Sequence, residues 1–448
     1  MCPISGLVQF LIVVVTLLLM CHAVVVKPYK IQFEQKNITL HMYDTANIKY
    51  NILDGDPNNL QELQIFSTDN NIAEVKYLYI PLNNSEKVGT FNLTGNFLGK
   101  TLIKCKLPNS DELCEQFEVI VVRKKRLIDT IFTASVATLV SIIYINFGCA
   151  LNWGELRKNL KRPIGPVIGF IGQFLIMPLL SFGLGKVLFP ESPEMQLGMF
   201  FTGVSPAGGA SNVWTVILEG NMDLSITMTT ISTFAAFGMM PLWIFTLGKM
   251  IFDKGNLSVP YWQISEYAFA LVVPLAIGYL IQRYLKKVST FMARILKCFS
   301  SILILFIIIF AIVANLYLFK LFSWQIIVAG MGLPYLGYTF AFILAKLLKQ
   351  PAPDCLAIAI ETGIQNTGIA IFLLRFSLPQ PEGDLTTIAP VAVAVMTPFP
   401  LLFMYIYKKL SARYSKKKLS LHDDCQSKLA LDNNCNNDIP VCKLSVVS

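Results

Sequence analysis

Glu361 lies in the middle of an apolar run, CLAIAIETGIQNTGIAIFLL over residues 355–374, which contains no lysine or arginine. A charge at membrane depth costs on the order of 2.5–3.5 kcal/mol even on a lenient insertion scale, so it needs a partner. A bound cation or a proton would serve. A small hard cation such as sodium wants a cage of oxygens, and the chain offers one in Glu361, Gln365, Ser211, Asn212, Ser225 and Thr229. Ser225 and Thr229 are four residues apart and so share one helical face. A single serine or threonine in a membrane helix more often bonds its own backbone or packs against a neighbour. Together with a carboxylate, the set points to ion coordination.

The segments that must position these residues are long and apolar. Nine stretches from Leu127 onward are long enough to span a bilayer: 127–150, 163–188, 195–218, 222–248, 266–285, 298–318, 323–346, 353–375 and 384–407. Two of them do not read as plain rods. The third holds Ser205-Pro206-Ala207-Gly208-Gly209-Ala210-Ser211-Asn212, and the eighth holds Glu361-Thr362-Gly363-Ile364-Gln365-Asn366-Thr367-Gly368. Proline and glycine weaken helix continuity, and an open backbone at membrane depth is tolerated only where protein or a wet cavity satisfies it. If spans five to nine form one repeat and spans one to four another that lacks its leading helix, both interrupted segments are fourth helices running in opposite directions. That is an inverted repeat with two broken helices crossing near the midplane, as in secondary transporters. Glu361 is the only carboxylate well inside a span, since Asp129, Asp223, Asp354, Asp384, Glu219 and Glu266 fall at span edges.

Composition agrees with a polytopic membrane protein. Of 448 residues, 54% are hydrophobic and 15% charged, with a mean hydropathy of +0.56, whereas soluble domains carry about 25% charged residues. The net charge of +9 is spread in short basic clusters between apolar runs, which argues for membrane orientation and against a nucleic-acid partner. Arg157, Lys158, Lys161 and Arg162 follow the first span; Arg283, Lys286, Lys287, Arg294 and Lys297 follow the fifth; Lys408, Lys409, Arg413 and Lys416 to Lys418 follow the ninth. Short loops on the other side hold little beyond Lys249, Lys254 and Lys320. The expected topology therefore has an extracellular or luminal N-terminus and a cytoplasmic C-terminus. Arg123 to Arg126 oppose it, but translocation of a large leading domain overrides such a cluster. Only His22, His41 and His422 exist, so a Ser/His dyad, an HExxH zinc site and a histidine proton relay are excluded from the membrane region. No paired aspartates lie inside the spans for intramembrane hydrolysis. We expect no enzyme and no cofactor beyond coupling ions.

Ahead of the spans, residues 7–20 form an apolar run followed by Cys21-His22-Ala23, which suits a signal peptide over 1–23, with a retained membrane helix as the alternative. Residues 24–126 turn polar, with alternating stretches such as IQFEQKNITL and QFEVIVV broken by turn-rich clusters. This predicts a small β-sandwich ectodomain. Cys105 and Cys114 flank the PNSDE turn and are expected to pair as a disulfide in a secreted compartment. Glycosylation tripeptides occur at Asn37, Asn83, Asn92 and Asn256. The tail over 409–448 is polar and without periodicity, hence expected to be disordered and cytoplasmic.

The pattern of Ser211-Asn212 after a Pro/Gly segment, LSITMT at 224–229, ETGIQN at 361–366 and Gln173-Phe174 in QFLIMP resembles the bile acid:sodium symporter family over residues 127–408. The resemblance implies two sodium sites: one of Ser211, Asn212, Ser225, Thr229 and Glu361, the other of Gln173, Glu361, Gln365 and the carbonyls of Thr362 and Ile364. It further implies that Asn212 and Asn366 face an organic substrate. The expected function is secondary active uptake of an organic anion, bile-acid-like or steroid-conjugate-like, driven by sodium through alternating access, with sodium, the anion and membrane lipid as partners. The alternative is a non-transporting membrane protein that binds through its ectodomain. One departure stands out: Ser205-Pro206-Ala207-Gly208 replaces the family's usual Cys-Pro-Gly-Gly.

Overall fold

In a computed structural model, the described residues are 30–54, 62–76, 79–81, 88–106, 113–124, 127–150, 153–161, 163–255, 257, 260–292, 294 and 323–414. The expected signal peptide, the sixth span, Asn83, Asn256, the Cys114 side chain and the tail from residue 415 lie outside them. The chain divides into two compact units, Met1–Thr130 with Leu378–Leu385, and Ile131–Ser377 with Thr386–Ser448. The return of residues 378–385 to the first unit had no sequence signal.

The first unit is built from two sheets. One has strand order β1-β3-β7-β5, with β1 Lys30–Phe33, β3 Thr45–Asp54, β5 Ala73–Val75 and β7 Val88–Gly95. The other has order β2-β9-β8-β4-β6, with β2 Asn37–His41, β4 Glu62–Ser67, β6 Tyr79–Pro81, β8 Gly99–Lys106 and β9 Leu113–Val122. Pairing is antiparallel except where β2 runs parallel to β9, from Asn37 opposite Glu118 to His41 opposite Val122. Burial alternates along β8, so Thr101, Ile103 and Cys105 face inward, as the period of two in a half-buried strand requires. The core gathers Phe33, Ile48, Phe91, Leu93, Ile103, Phe117 and Val119, with the Phe33 and Phe117 rings 4.8 Å apart. Cys105 is disulfide-bonded, and its Sγ accepts the Glu115 N–H at 3.3 Å. Within this unit Lys100 pairs with the buried Glu382 at 2.5 Å.

The second unit is helical. Its elements are α1 Leu127–Ala150, α2 Trp153–Leu160, α3 Ile164–Leu188, α4 Pro193–Val204, α5 Ala210–Ile217, α6 Met222–Lys254, α7 Tyr261–Tyr284, α8 Trp324–Leu347, α9 Ala352–Gly363, α10 Thr367–Ser377 and α12 Ile388–Met396. The short α11, Glu382–Leu385, belongs to the first unit. Among the described residues, four helices are long and apolar enough to cross a membrane unaided: Ile164–Leu188, Met222–Lys254, Trp324–Leu347 and Glu382–Tyr414. The third and eighth expected spans do not qualify because each is two short helices, α4 with α5 and α9 with α10. Large apolar side chains such as Val167, Leu336, Phe340 and Phe403 are exposed on these helices, the surface that a bilayer rather than water can solvate.

The two breaks have local causes. Pro206 disfavours helical geometry at the residue before it, and Ser205 is extended at φ −64° and ψ 155°. In the other, Ile364 leaves the helix at φ −90° and ψ 99° directly after Gly363. Ala207 and Gln365 then form an antiparallel bridge. Gly208 N–H donates to the Ile364 carbonyl at 2.8 Å and Asn366 N–H to the Pro206 carbonyl at 2.9 Å. The unwound segments thus satisfy each other's backbone groups, which lipid could not do.

Candidate functional site

Glu361 occupies the last turn of α9 beside this bridge and is 2% exposed. Among the described residues no lysine or arginine pairs with it; its neighbours are hydroxyls. Ser225 Oγ lies 2.9 Å from Oε2, and Thr229 Oγ1 makes a short contact with Oε1. Both come from one face of α6, as their spacing of four predicts. From the start of α5, Asn212 Oδ1 stands 2.9 Å from Ser225 Oγ, and its Nδ2 is 3.2 Å from Thr229 Oγ1. Ser225 Oγ is equally close to two acceptor oxygens, yet a hydroxyl has a single proton to donate. Ser211 Oγ is fully buried and has no hydrogen-bond partner among the described residues. The result is a cluster of hydroxyl and amide oxygens around one carboxylate, the donor set that a hard cation fits.

A second polar group lies alongside. Gln173 Nε2 donates to the Ser205 carbonyl and to Gln365 Oε1, each at 2.7 Å. Gln365 Nε2 in turn donates to the Thr362 carbonyl at 2.7 Å. Gly172 lets α3 approach α9 closely, for a Cβ there would sit 2.7 Å from Thr362 Oγ1. The Ile364 carbonyl is engaged by the Gly208 N–H, which leaves it one further lone pair. A small cleft of about 10 Å³ opens beside both groups, with Phe170, Gln173, Phe174, Met228 and Glu361 in its wall.

The residues expected at the site therefore lie around one crossing. Asn366 joins it through its backbone N–H to Pro206, while its Oδ1 accepts the Ile369 N–H at 3.3 Å and caps the start of α10. Sequence reading missed Thr215, whose Oγ1 is 3.3 Å from Ser225 Oγ. Its signal was available, because it follows Ser211 by four residues on the same helix.

A model of the family described as "Sodium Bile acid symporter family" matches residues 137–321. Among curated relatives, the ileal sodium/bile acid cotransporter of Cricetulus griseus is 31% identical over 294 residues, 65% of this chain and 82% of that protein. This chain belongs to the sodium bile acid symporter family. The sodium-dependent organic anion transporter of Rattus norvegicus is 31% identical over 66% of this chain and 80% of that protein. The human P3 protein is 31% identical over 60% of the chain and 57% of its own length. Membership makes the chain a multi-pass membrane symporter and not an enzyme, since a symporter moves its solutes without chemical change. The expected family is thereby established.

Proposed function

We propose that the protein couples inward sodium movement to uptake of an organic anion by alternating access. The observation that carries the reading is the meeting of Glu361 with Asn212, Ser225 and Thr229 at a crossing of two broken helices. In this reading Ser211, Asn212, Ser225, Thr229 and Glu361 hold one sodium. Gln173, Glu361, Gln365 and the carbonyls of Thr362 and Ile364 hold a second. Each bound cation offsets part of the cost of the buried carboxylate, and the net positive charge attracts an anion. The membrane potential contributes about 2.3 kcal/mol per net charge per 100 mV.

The relatives' names, sodium/bile acid cotransporter and sodium-dependent organic anion transporter, support sodium coupling and an anionic, bile-acid-like or steroid-conjugate-like substrate. Sites for drug-sized ligands run to roughly 300–1,000 Å³, so the cleft beside Glu361 must widen to admit one. A rocking motion of one helix bundle against the other supplies that widening. We assign nine membrane crossings, an outward glycosylated ectodomain over 24–126 with a Cys105–Cys114 disulfide, and an inward tail after 408. Asn37 is exposed at the start of β2, as a glycan acceptor must be.

Radiotracer uptake by transfected cells, with and without sodium, across bile acids and sulfated steroids tests the proposal. Sodium-dependent uptake that Glu361→Gln removes is the expected result. Sodium-independent uptake indifferent to that substitution overturns it.

A further inference from the structure

We propose that Trp243 is a positioning residue for the second ion site, its indole N–H holding the helix distortion that aims Gln173 at the crossing. The inference rests on the symporter reading above and begins with Pro178. In an α-helix the carbonyl of residue i accepts the N–H of residue i+4, and the residue four beyond Phe174 is Pro178, which has no N–H to give. The helix answers by widening: Gly172–Ile176 is a π turn in which Met177 N–H reaches back five residues to the Gly172 carbonyl. Trp243 Nε1 comes across from α6 and donates to the Phe174 carbonyl at 2.7 Å. Phe174 is 1% exposed, so without the indole this carbonyl would lose its side-chain donor where water cannot replace it.

Gln173 is the residue immediately before that carbonyl and inside the same turn. One residue inserted into a helix turns the following face by about 100°. Closing the π turn to α geometry would therefore rotate Gln173 relative to the second half of α3 and away from Ser205 and Gln365. π turns recur at functional sites for this kind of re-aiming. The indole joins α6, which carries Ser225 and Thr229, to α3, which carries Gln173. Elements supplying both ion groups are thus tied by one side chain.

The test uses the purified full-length chain in detergent, titrated with sodium chloride against choline chloride at constant ionic strength, reading the sodium concentration at half-maximal thermal stabilisation. Trp243→Phe keeps an aromatic ring and removes the N–H. It should raise that midpoint about two- to tenfold, the range for one lost neutral hydrogen bond, and should add little to the effect of Gln173→Ala in the double variant. A lower melting temperature without sodium but an unchanged sodium midpoint would mean plain packing and overturns the inference, as does full additivity with Gln173→Ala. Should Trp243→Phe fail to fold, Pro178→Ala supplies the missing N–H to Phe174 and should likewise raise the midpoint; an unchanged midpoint there overturns the inference. A native chain with no sodium-dependent shift overturns the symporter reading itself, and this inference with it.

Discussion

Ser225 donates toward Glu361 from 136 residues earlier in the chain, its Oγ 2.9 Å from Oε2. The same hydroxyl is 2.9 Å from Asn212 Oδ1. A hydroxyl has a single proton, so Ser225 cannot donate to both acceptors at once. A cation relieves both at once, which makes the pair the most direct physical argument for an ion at the crossing.

That sharing makes a double-substitution cycle informative. Ser225→Ala and Thr229→Val each remove one hydroxyl from the carboxylate, and groups in one network couple by about 0.5–3 kcal/mol. Sodium midpoints from thermal-shift titrations of the two single variants and the double variant should depart from additivity by that amount. Strict additivity would mean that the two hydroxyls serve separate ends.

Glu361→Gln keeps the shape but loses the charge and exchanges one acceptor oxygen for an N–H donor group. Sodium affinity should fall more than about tenfold, equivalent to 1.4 kcal/mol, and tracer uptake should drop to its sodium-free level at equal surface expression. Because a buried uncompensated charge is costly, the sodium-free melting temperature should hold or rise. Stability in sodium-free buffer and loss of coupling should therefore separate in this variant.

Two glycines let neighbours pack closely on the broken helices. A Cβ on Gly208 would stand 2.9 Å from the Gln365 carbonyl oxygen, and one on Gly363 would stand 2.1 Å from Tyr338 Cδ1. Tyr338 cannot yield easily, since its hydroxyl is held by the Thr397 carbonyl at 3.1 Å. Gly208→Ala and Gly363→Ala should each destabilise by about 1–3 kcal/mol through overpacking and lower surface expression. Ala207→Gly, toward the usual family residue, should change stability by less than about 1 kcal/mol. Thermal denaturation of the purified variants measures all three.

At the far end of α5, Lys408 Nζ donates to the Leu218 carbonyl at 2.6 Å and pairs with Glu219 at 3.3 Å. Glu219 is well exposed, and exposed ion pairs contribute about 0–1 kcal/mol, so the helix-end hydrogen bond should dominate. Lys408→Ala should cost about 0.5–1.5 kcal/mol, whereas Glu219→Ala should cost much less. Equal losses in thermal denaturation would reverse that ranking.

Much of the architecture was legible in the residues because membranes and sheets impose strong periodic constraints. A charge inside an apolar run demands a partner, so Glu361 marked the candidate site without any coordinates. Pro206 and the glycines near it announced a broken helix, because proline has no N–H to donate and restricts the residue before it. Strand alternation in QFEVIVV announced a half-buried strand for the same kind of reason. Thr215 could have been read from its spacing to Ser211 and was missed because a lone threonine in a helix usually bonds its own backbone.

Other features were decided only by packing. Nothing in the local pattern joins Ala207 to Gln365, and their bridge forms because two open backbones have no other partner in lipid. Nor does the spacing of Gln173 reveal that its helix widens there, since the width depends on a tryptophan from another helix reaching a carbonyl that Pro178 cannot serve. The amino-acid order determined which groups would be too costly to leave alone; the tertiary structure decided which distant groups would relieve them, because hydrogen bonds are specified by atoms in space and not by distance along the chain.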